Sequence, residues 1–350
     1  MDAATITERW ELAKKGELAE RPAPLLVPTE PAEFRYYKPL ADAADEFVRW
    51  AQSPHEQVYT GFADIDRQMR GIAPGEVCMV VGYSHSGKTL ALMEMLRHNA
   101  NRRVIYYCPD EPRTLTLIKL TCLIHNMNAL ELENRIAADD RDAIELLRET
   151  AETRFPHLAV IDDPISVVDM EKATDEIATH WGAKEDLVVL DYLELLQGGG
   201  EDVASKANTV KAWGRRRDVP LLVLHQTSRT SGAEGRQITI SSGAFGGEQQ
   251  ATHIIGVRRK LAEIRSRIRD IDERLASSGR QASAERLMEE RASLVHDEHI
   301  HKHTVTLNLV KCKRVGSELI EDGIDFEIEH GTGRLSPLRG ELPEQHRMAW

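Results

Sequence analysis

The octapeptide Gly82-Tyr83-Ser84-His85-Ser86-Gly87-Lys88-Thr89 carries the most specific chemistry in the chain, because it satisfies G-x-x-x-x-G-K-[ST] at every fixed position. The apolar run VCMVVG (77–82) leads into it and the helical run LALMEMLRH follows, so the motif spans a strand-to-helix turn. Gly82 and Gly87 let backbone N–H groups wrap around phosphates, and the N-terminus of the following helix favours the anion. Lys88 is long enough to reach the β- and γ-phosphates, and the Thr89 hydroxyl is a ligand for Mg2+. Ser84, His85, Ser86 and Leu90 complete the expected nucleotide contacts, His85 only as a loop-lining residue. The ligand implied is ATP or another nucleoside triphosphate, with Mg2+.

Two further acidic positions suit such a site. The apolar strand of DLVVLDYLELL (186–196) ends in Asp191, which could hold Mg2+ directly or through water; Asp162 and Asp163, at the end of HLAVIDD, compete for that role. The strand RVIYYC (103–108) runs into PDEP, placing Asp110 and Glu111 at the carboxyl edge of a sheet, where ligands bind in open α/β folds. Either carboxylate could orient an attacking water.

These residues need a scaffold of alternating strands and helices, and the pattern supplies one. The runs at 77–82, 103–108, 157–162, 186–192 and 220–226 are short and continuously apolar, as in a parallel sheet covered on both faces. IIGVRR (254–259), TVTLNLVKCK (304–313) and IDFEIEHG (324–331) are spaced like an antiparallel extension. Between the first two of these, Leu261, Ile264, Ile268, Ile271 and Leu275 form a coiled-coil seam. A turn at 277–279 and a second helix with Leu287, Leu294 and Val295 complete an antiparallel helical hairpin at about 260–300. It is either a solvated protrusion or, over 260–298, an arm that docks a protein partner or faces DNA. Residues 1–55 are expected to form an arm: one amphipathic helix over 1–21, four prolines between Arg21 and Ala32, then a helix over 39–52. The core is expected over 56–340, with a short tail at 341–350.

Composition sets outer bounds. With 350 residues and 41% hydrophobic content the chain can bury a full core, and no run of about 18 apolar residues offers a membrane span. The charged N-terminus has no apolar signal core, and the four cysteines, Cys78, Cys108, Cys122 and Cys312, lack metal-ligand spacing, so a cytoplasmic, reduced protein is expected. A net charge of −12 argues against indiscriminate nucleic-acid coating but leaves room for a narrow basic channel. Arg215–Arg217 read as a solvated helix end. His299 and His303, four apart in HDEHIHKH, could share a helix face, although no third metal ligand accompanies them.

Taken in order, these segments resemble the ATPase domain of DnaB-type replicative helicases, within the RecA-like superfamily. TGFADIDRQMRGIAPGEVCMVVGYSHSGKT resembles its opening, VIYYCPDEP the strand before its catalytic glutamate, and LVVLDYLELL its Mg2+-binding strand, which favours Asp191 over Asp162. VPLLVLHQTSR is similar to the strand ending in a sensor glutamine and arginine, here Gln226 and Arg229. SGAFGGEQQATHIIGVRR is similar to the segment after the second DNA-facing loop, and NLVKCKRVG to the strand whose Lys and Arg reach a neighbouring subunit's γ-phosphate. The resemblance covers about 55–335 and implies a RecA-like P-loop fold, ATP hydrolysis and a ring, a hexamer, translocating on single-stranded DNA to unwind duplex during replication. It implies that the 1–55 arm packs on an adjacent protomer. Asp110 aligns best with the catalytic glutamate, with Glu111 one place later. Among Lys311, Lys313 and Arg314, proximity to the Gly316 turn favours Lys313 and Arg314 as the trans pair. Gly198–Lys206 and Arg229–Gly243 would face DNA, with Lys206, Arg229 and Arg236 as phosphate contacts. Two other readings remain: a RecA- or RadA-like recombination ATPase that does not unwind, and a KaiC-like assembly controlled by nucleotide.

Overall fold

The computed structural model describes residues 39–53, 57–198, 202–227, 237–239, 247–277 and 281–338. The chain divides into two compact units, residues 1–54 and 55–350. In the first, helix α1 (Leu40–Gln52) exposes Leu40, Phe47 and Val48 and buries no residue. The expected helix over 1–21 and the tail at 341–350 lie outside the described residues.

The second unit is an α/β domain. In chain order it contains α2 (Ala63–Met69), β1 (Val77–Gly82), α3 (Lys88–His98), β2 (Val104–Tyr107), α4 (Arg113–His125), α5 (Ala129–Ala137), α6 (Arg141–Glu149), β3 (Leu158–Ile161), α7 (Val167–Trp181), β4 (Leu187–Leu190), α8 (Val203–Arg217), β5 (Leu221–Gln226) and β6 (His253–Arg258). It ends with α9 (Lys260–Ser277), α10 (Gln281–His301), β7 (Thr304–Cys312), β8 (Ile320–Glu329) and β9 (Arg334–Pro337). The strands form one sheet in the order β3-β2-β4-β5-β1-β6-β7-β8-β9, parallel from β3 to β6 and antiparallel from β7 on.

Alternation along the strands explains the layering. In β1, Cys78 and Val80 face a core built with α3 and α4 (Leu92, Leu96, Leu120, Leu123), whereas Val77, Met79 and Val81 face a second core with α7 and α8 (Met170, Val210, Trp213). Local signals set the helix ends: Ser166 and Asp169 form a capping box on α7, Asn128 and Asp140 cap α5 and α6, and Asp202 accepts from Ser205 N–H at the start of α8.

The structure corrects several expectations. β6 is parallel to β1, pairing Cys78 with His253 through Gly82 with Val257, so chain direction reverses only at β7. Between the end of β5 and the start of β6 the chain returns to the starting edge of the sheet, which lets β6 enter in the same sense as β1. The ninth strand, β9, is an addition to the expected set; its four residues are too short to show a period.

The hairpin is present, with α9 and α10 antiparallel across the ion pairs Arg265–Glu298 (2.7 Å) and Arg291–Asp272 (2.6 Å). Ile264, Ile271, Leu287 and Leu294 form its own small core, with Ile268 and Leu275 against it, while Val295 faces solvent. Its root is fixed by Lys260 on the buried Asp325 at 2.6 Å. Because α10 stops at His301, His303 does not share a helix face with His299; its Nδ1 lies 2.9 Å from His330 Nε2. Among the described residues no cluster of three or more metal-ligating side chains occurs. The cysteines are free, three buried and Cys312 half-buried. In the 215–217 cluster only Arg215 and Arg216 are solvated; Arg217 reaches the buried Glu185 at 2.6 Å and Asp175 at 2.6 Å.

Candidate nucleotide site

The phosphate-binding loop leaves β1 at Gly82 and enters α3 at Lys88. A Cβ on Gly82 would collide with Val257 O and lie 2.5 Å from Ser86 Oγ, so no other residue fits there. Gly87 takes φ +99° as it opens the helix. No side chain caps α3 and its first turn holds no acidic residue, so its leading amides are free to meet an anion. Ser86 is buried and its Oγ has no hydrogen-bond partner, while His85 is exposed at φ +60° and Ser84, Thr89 and Leu90 are half-buried. Lys88 Nζ donates to Gly82 O and Tyr83 O, both at 2.8 Å. Burial lowers its pKa to about 8, against the opposing pull of Asp191 and Glu194.

Asp191 follows β4 directly and is buried; its N–H donates to Tyr107 O at 2.8 Å and its Oδ2 accepts from Tyr106 OH at 3.0 Å. Burial pushes its carboxyl up to about 6, the Tyr106 bond and Lys88 oppose this, and Glu111 and Asp110 add to it. A buried carboxylate beside two more suits a divalent cation, whose charge would offset their repulsion. Asp162, the competitor, accepts from Arg113 N–H at 2.9 Å in an exposed turn and serves α4 instead.

The PDEP turn separates its two acids. Asp110 is exposed, whereas Glu111 turns inward: Oε2 meets Lys119 Nζ at 2.5 Å, and Oε1 is buried without a hydrogen bond. Gln226, last in β5, stands beside Gly82 in register, and the next residue donates its N–H to Gly82 O at 3.2 Å. Lys88, Asp191, Glu111 and Gln226 therefore share the carboxyl edge of the sheet.

The basic strand end lies at the opposite edge. In β7, Thr306 stands across from Arg258 near the loop and Cys312 across from His253, at the start of β6. Past the end of β7 at Cys312, Arg314 turns back towards α2 and Glu76, whereas Lys311 and Lys313 lie near Lys211 of α8. Arg314 is engaged within its own chain, donating to Met69 O (3.3 Å), Gly71 O (3.5 Å) and Glu76 Oε2 (2.8 Å). Lys313 is exposed, and Lys311 donates to Gln249 O at 3.0 Å. Burial lowers the Lys311 pKa, and the charges of Lys313 and Lys211 lower it further.

The residues expected to meet DNA fare unevenly. Arg229 and Arg236 lie outside the described residues. Lys206 belongs to α8, not to a loop, and its Nζ donates to Glu194 O at 2.7 Å. Within the second expected loop, Ile238 is buried and its carbonyl accepts from Asn308 Nδ2 at 3.0 Å, so that part is anchored to β7. The residue that sequence reasoning missed is Glu194. Its Oε1 accepts from Gln226 N–H at 2.9 Å and stands 2.7 Å from His225 Nδ1. The available signal was an acid three places after Asp191 in an otherwise apolar run.

Residues 57–271 match the family model of the DnaB-like helicase C terminal domain. The chain belongs to that family. Similar proteins include the replicative DNA helicase DnaB of Geobacillus stearothermophilus, 24% identical over 183 residues that make up 49% of this chain and 39% of the relative. The replicative DNA helicase DnaC of Bacillus subtilis (strain 168) is 23% identical over 189 residues, 51% of this chain and 40% of the relative. This DnaB-like chain thus spans about two fifths of the length of these relatives. Two solved structures share its fold. One, an ATPase domain, has a TM-score of 0.63 at 16% identity, covering 86% of this chain and 99% of that one. The other, a DnaB-like replicative helicase studied for its interactions with primase, has a TM-score of 0.61 at 15% identity, covering 86% of this chain and 67% of that one. The DnaB-like match ends at residue 271, within the first helix of the hairpin.

Proposed function

We propose that this DnaB-like chain is a Mg2+-dependent ATPase that assembles as a ring, a hexamer, around single-stranded DNA and unwinds duplex. One observation carries the reading: the two halves of the phosphate chemistry sit at opposite edges of one sheet. From Thr306 to the end of β7 at Cys312 the strand spans roughly 20 Å, at about 3.3 Å per residue. Lys311 and Lys313 therefore cannot return to the loop of their own chain. An anion from outside would relieve their mutual repulsion, and a triphosphate held by a neighbouring copy is such an anion.

In this reading Gly82 and Gly87 shape the loop, and the amides from Ser84 to Leu90, with Ser86 Oγ and Lys88 Nζ, hold the phosphates. Thr89 and Asp191 would hold Mg2+, which neutralises charge on the phosphate oxygens when bound. Glu111, with Oε1 free and Lys119 fixing Oε2, orients the attacking water; Asp110 is turned to solvent. Gln226 reads the γ-phosphate from the adjacent strand end. Lys313, with Lys311 beside it, acts in trans, and Arg314 holds the strand in place. Lys206, Arg229, Arg236 and the segments 198–206 and 229–243 face DNA. Helix α1, with Leu40, Phe47 and Val48 outward, fits docking on an adjacent copy.

The deciding experiment is an ATPase assay with and without single-stranded DNA beside unwinding of a forked duplex. Stimulated turnover with strand separation supports the reading. Stimulated turnover with strand exchange and no unwinding would replace it with a recombination ATPase. Turnover indifferent to DNA would replace it with a nucleotide-controlled assembly.

A further inference from the structure

We propose that Glu194 is a positioning residue that links the nucleotide site to the start of α8, behind the first DNA-facing segment; the DNA side of this link rests on the function proposed above. Glu194 lies in the short 3-10 turn Leu193–Leu195 between β4 and α8. Its carboxylate is shared between two neighbours on β5: Oε1 accepts from Gln226 N–H at 2.9 Å and stands 2.7 Å from the ring of the fully buried His225. Its main-chain oxygen accepts from Lys206 Nζ at 2.7 Å, in the first turn of α8. Its second carboxylate oxygen, Oε2, is buried without a hydrogen-bond partner, and the charge of the group supports the ammonium of Lys88. One residue therefore touches the sensor strand, biases the phosphate-binding lysine and anchors the helix that follows residues 198–202.

Rigid attachment at both ends makes this a transmission element. The next residues are fixed as well: Gln197 N–H donates to Ile165 O at 2.9 Å, and Gln197 bridges to Ser166. The turn is held at that side and grips β5 on the other. When phosphate engages Lys88 and Gln226, the balance of forces on the Glu194 carboxylate changes, and its backbone carries Lys206 and the first turn of α8 with it. Lys206 is then both the end of the first DNA-facing segment and the far end of this link. DNA pulling on that segment would act back on Gln226 along the same bonds, because coupling between sites is reciprocal.

The test is hydrogen exchange over residues 198–210 of the full chain, with and without Mg2+ and a slowly hydrolysed ATP analogue. Binding of the analogue is followed separately by fluorescence. In the wild type the analogue should change exchange in this segment by at least about fivefold, the low end of ordinary site-to-site coupling. Glu194→Ala and Lys206→Met should bind the analogue and lose that change. Glu194→Gln should keep it, because an amide oxygen accepts the same Gln226 N–H, and a purely electrostatic role would not show this rescue. Lys206→Met removes a partly solvated side chain and covers the case in which Glu194→Ala does not fold. An unchanged nucleotide response in Lys206→Met, or no response in the wild type, overturns the proposal. A wild-type response without stimulation by single-stranded DNA leaves the link standing and removes the helicase reading instead.

Discussion

Arg314 and Lys313 are adjacent, yet the proposed function expects opposite consequences when each is changed to alanine. Arg314→Ala removes two bonds to backbone carbonyls and one charge-assisted bond to Glu76, with both side chains of that pair 18% exposed. A hydrogen bond to a charged group is worth about 1.5–3 kcal/mol, and partial exposure argues for the lower part of that range, so the loss is about 2 kcal/mol. For a domain of this size that lowers the melting temperature by roughly 4–8 °C. Lys313→Ala removes an exposed side chain and should change stability by less than about 0.5 kcal/mol. Its effect should fall on turnover, by about three to five orders of magnitude if it acts as the trans cation. The pH dependence adds a check. Burial raises the Glu76 carboxyl, but bonds from His253 and Ala73 and the charge of Arg314 bring it below its ordinary value. A depressed folded pKa gives stability that is present above the unfolded value and lost as pH falls through the folded one. The Arg314→Ala deficit should therefore be full at neutral pH and shrink below the ordinary glutamate range. The assays are thermal melts from acid to neutral pH and ATPase turnover, with mixtures of Lys313→Ala and Lys88→Ala subunits to regenerate intact interfaces. A stable, inactive Arg314→Ala beside a fully active Lys313→Ala would refute the assignment, and failure of every mixture to recover activity would refute its action in trans.

Lys88→Ala should abolish hydrolysis, and retained turnover would remove the loop from the mechanism. Glu111→Gln should slow single-turnover hydrolysis far more than Asp110→Asn, since only Glu111 turns into the site; the reverse order would return the role to Asp110. Replacing residues 261–298 with a short Gly linker should leave folding and ATPase activity intact, because the seam of Ile264, Ile271, Leu287 and Leu294 is separate from the two sheet cores. An aggregated or molten product in circular dichroism would make the hairpin part of the core. Ile271→Asp should unfold the hairpin alone, seen as lost helicity with the ATPase melting transition unmoved.

The parts of this molecule that were legible in sequence are those governed by nearest neighbours. A phosphate-binding loop is eight consecutive residues, and a doubly covered strand is one apolar run, so β1 to β5 and the loop could be placed without knowing what lay beside them. Strand direction was not local: IIGVRR has the same composition whether β6 runs with β1 or against it, and only the return path from β5 decides. The basic strand end shows a subtler limit. Lys313 and Arg314 both lie past the end of β7, so proximity to Gly316 groups them, yet only the packed fold turns Arg314 onto Glu76 and leaves Lys313 exposed. Glu194 lay beyond such reasoning, because its partners at 206, 225 and 226 come together only when β4, β5 and α8 are packed. Asp110 and Glu111 differ for the same reason: their order along PDEP is fixed, but Lys119, one helical segment later, decides which of them points inward. Chemistry confined to a contiguous motif can thus be read in one dimension, whereas the residues that aim and connect that chemistry are chosen by the fold.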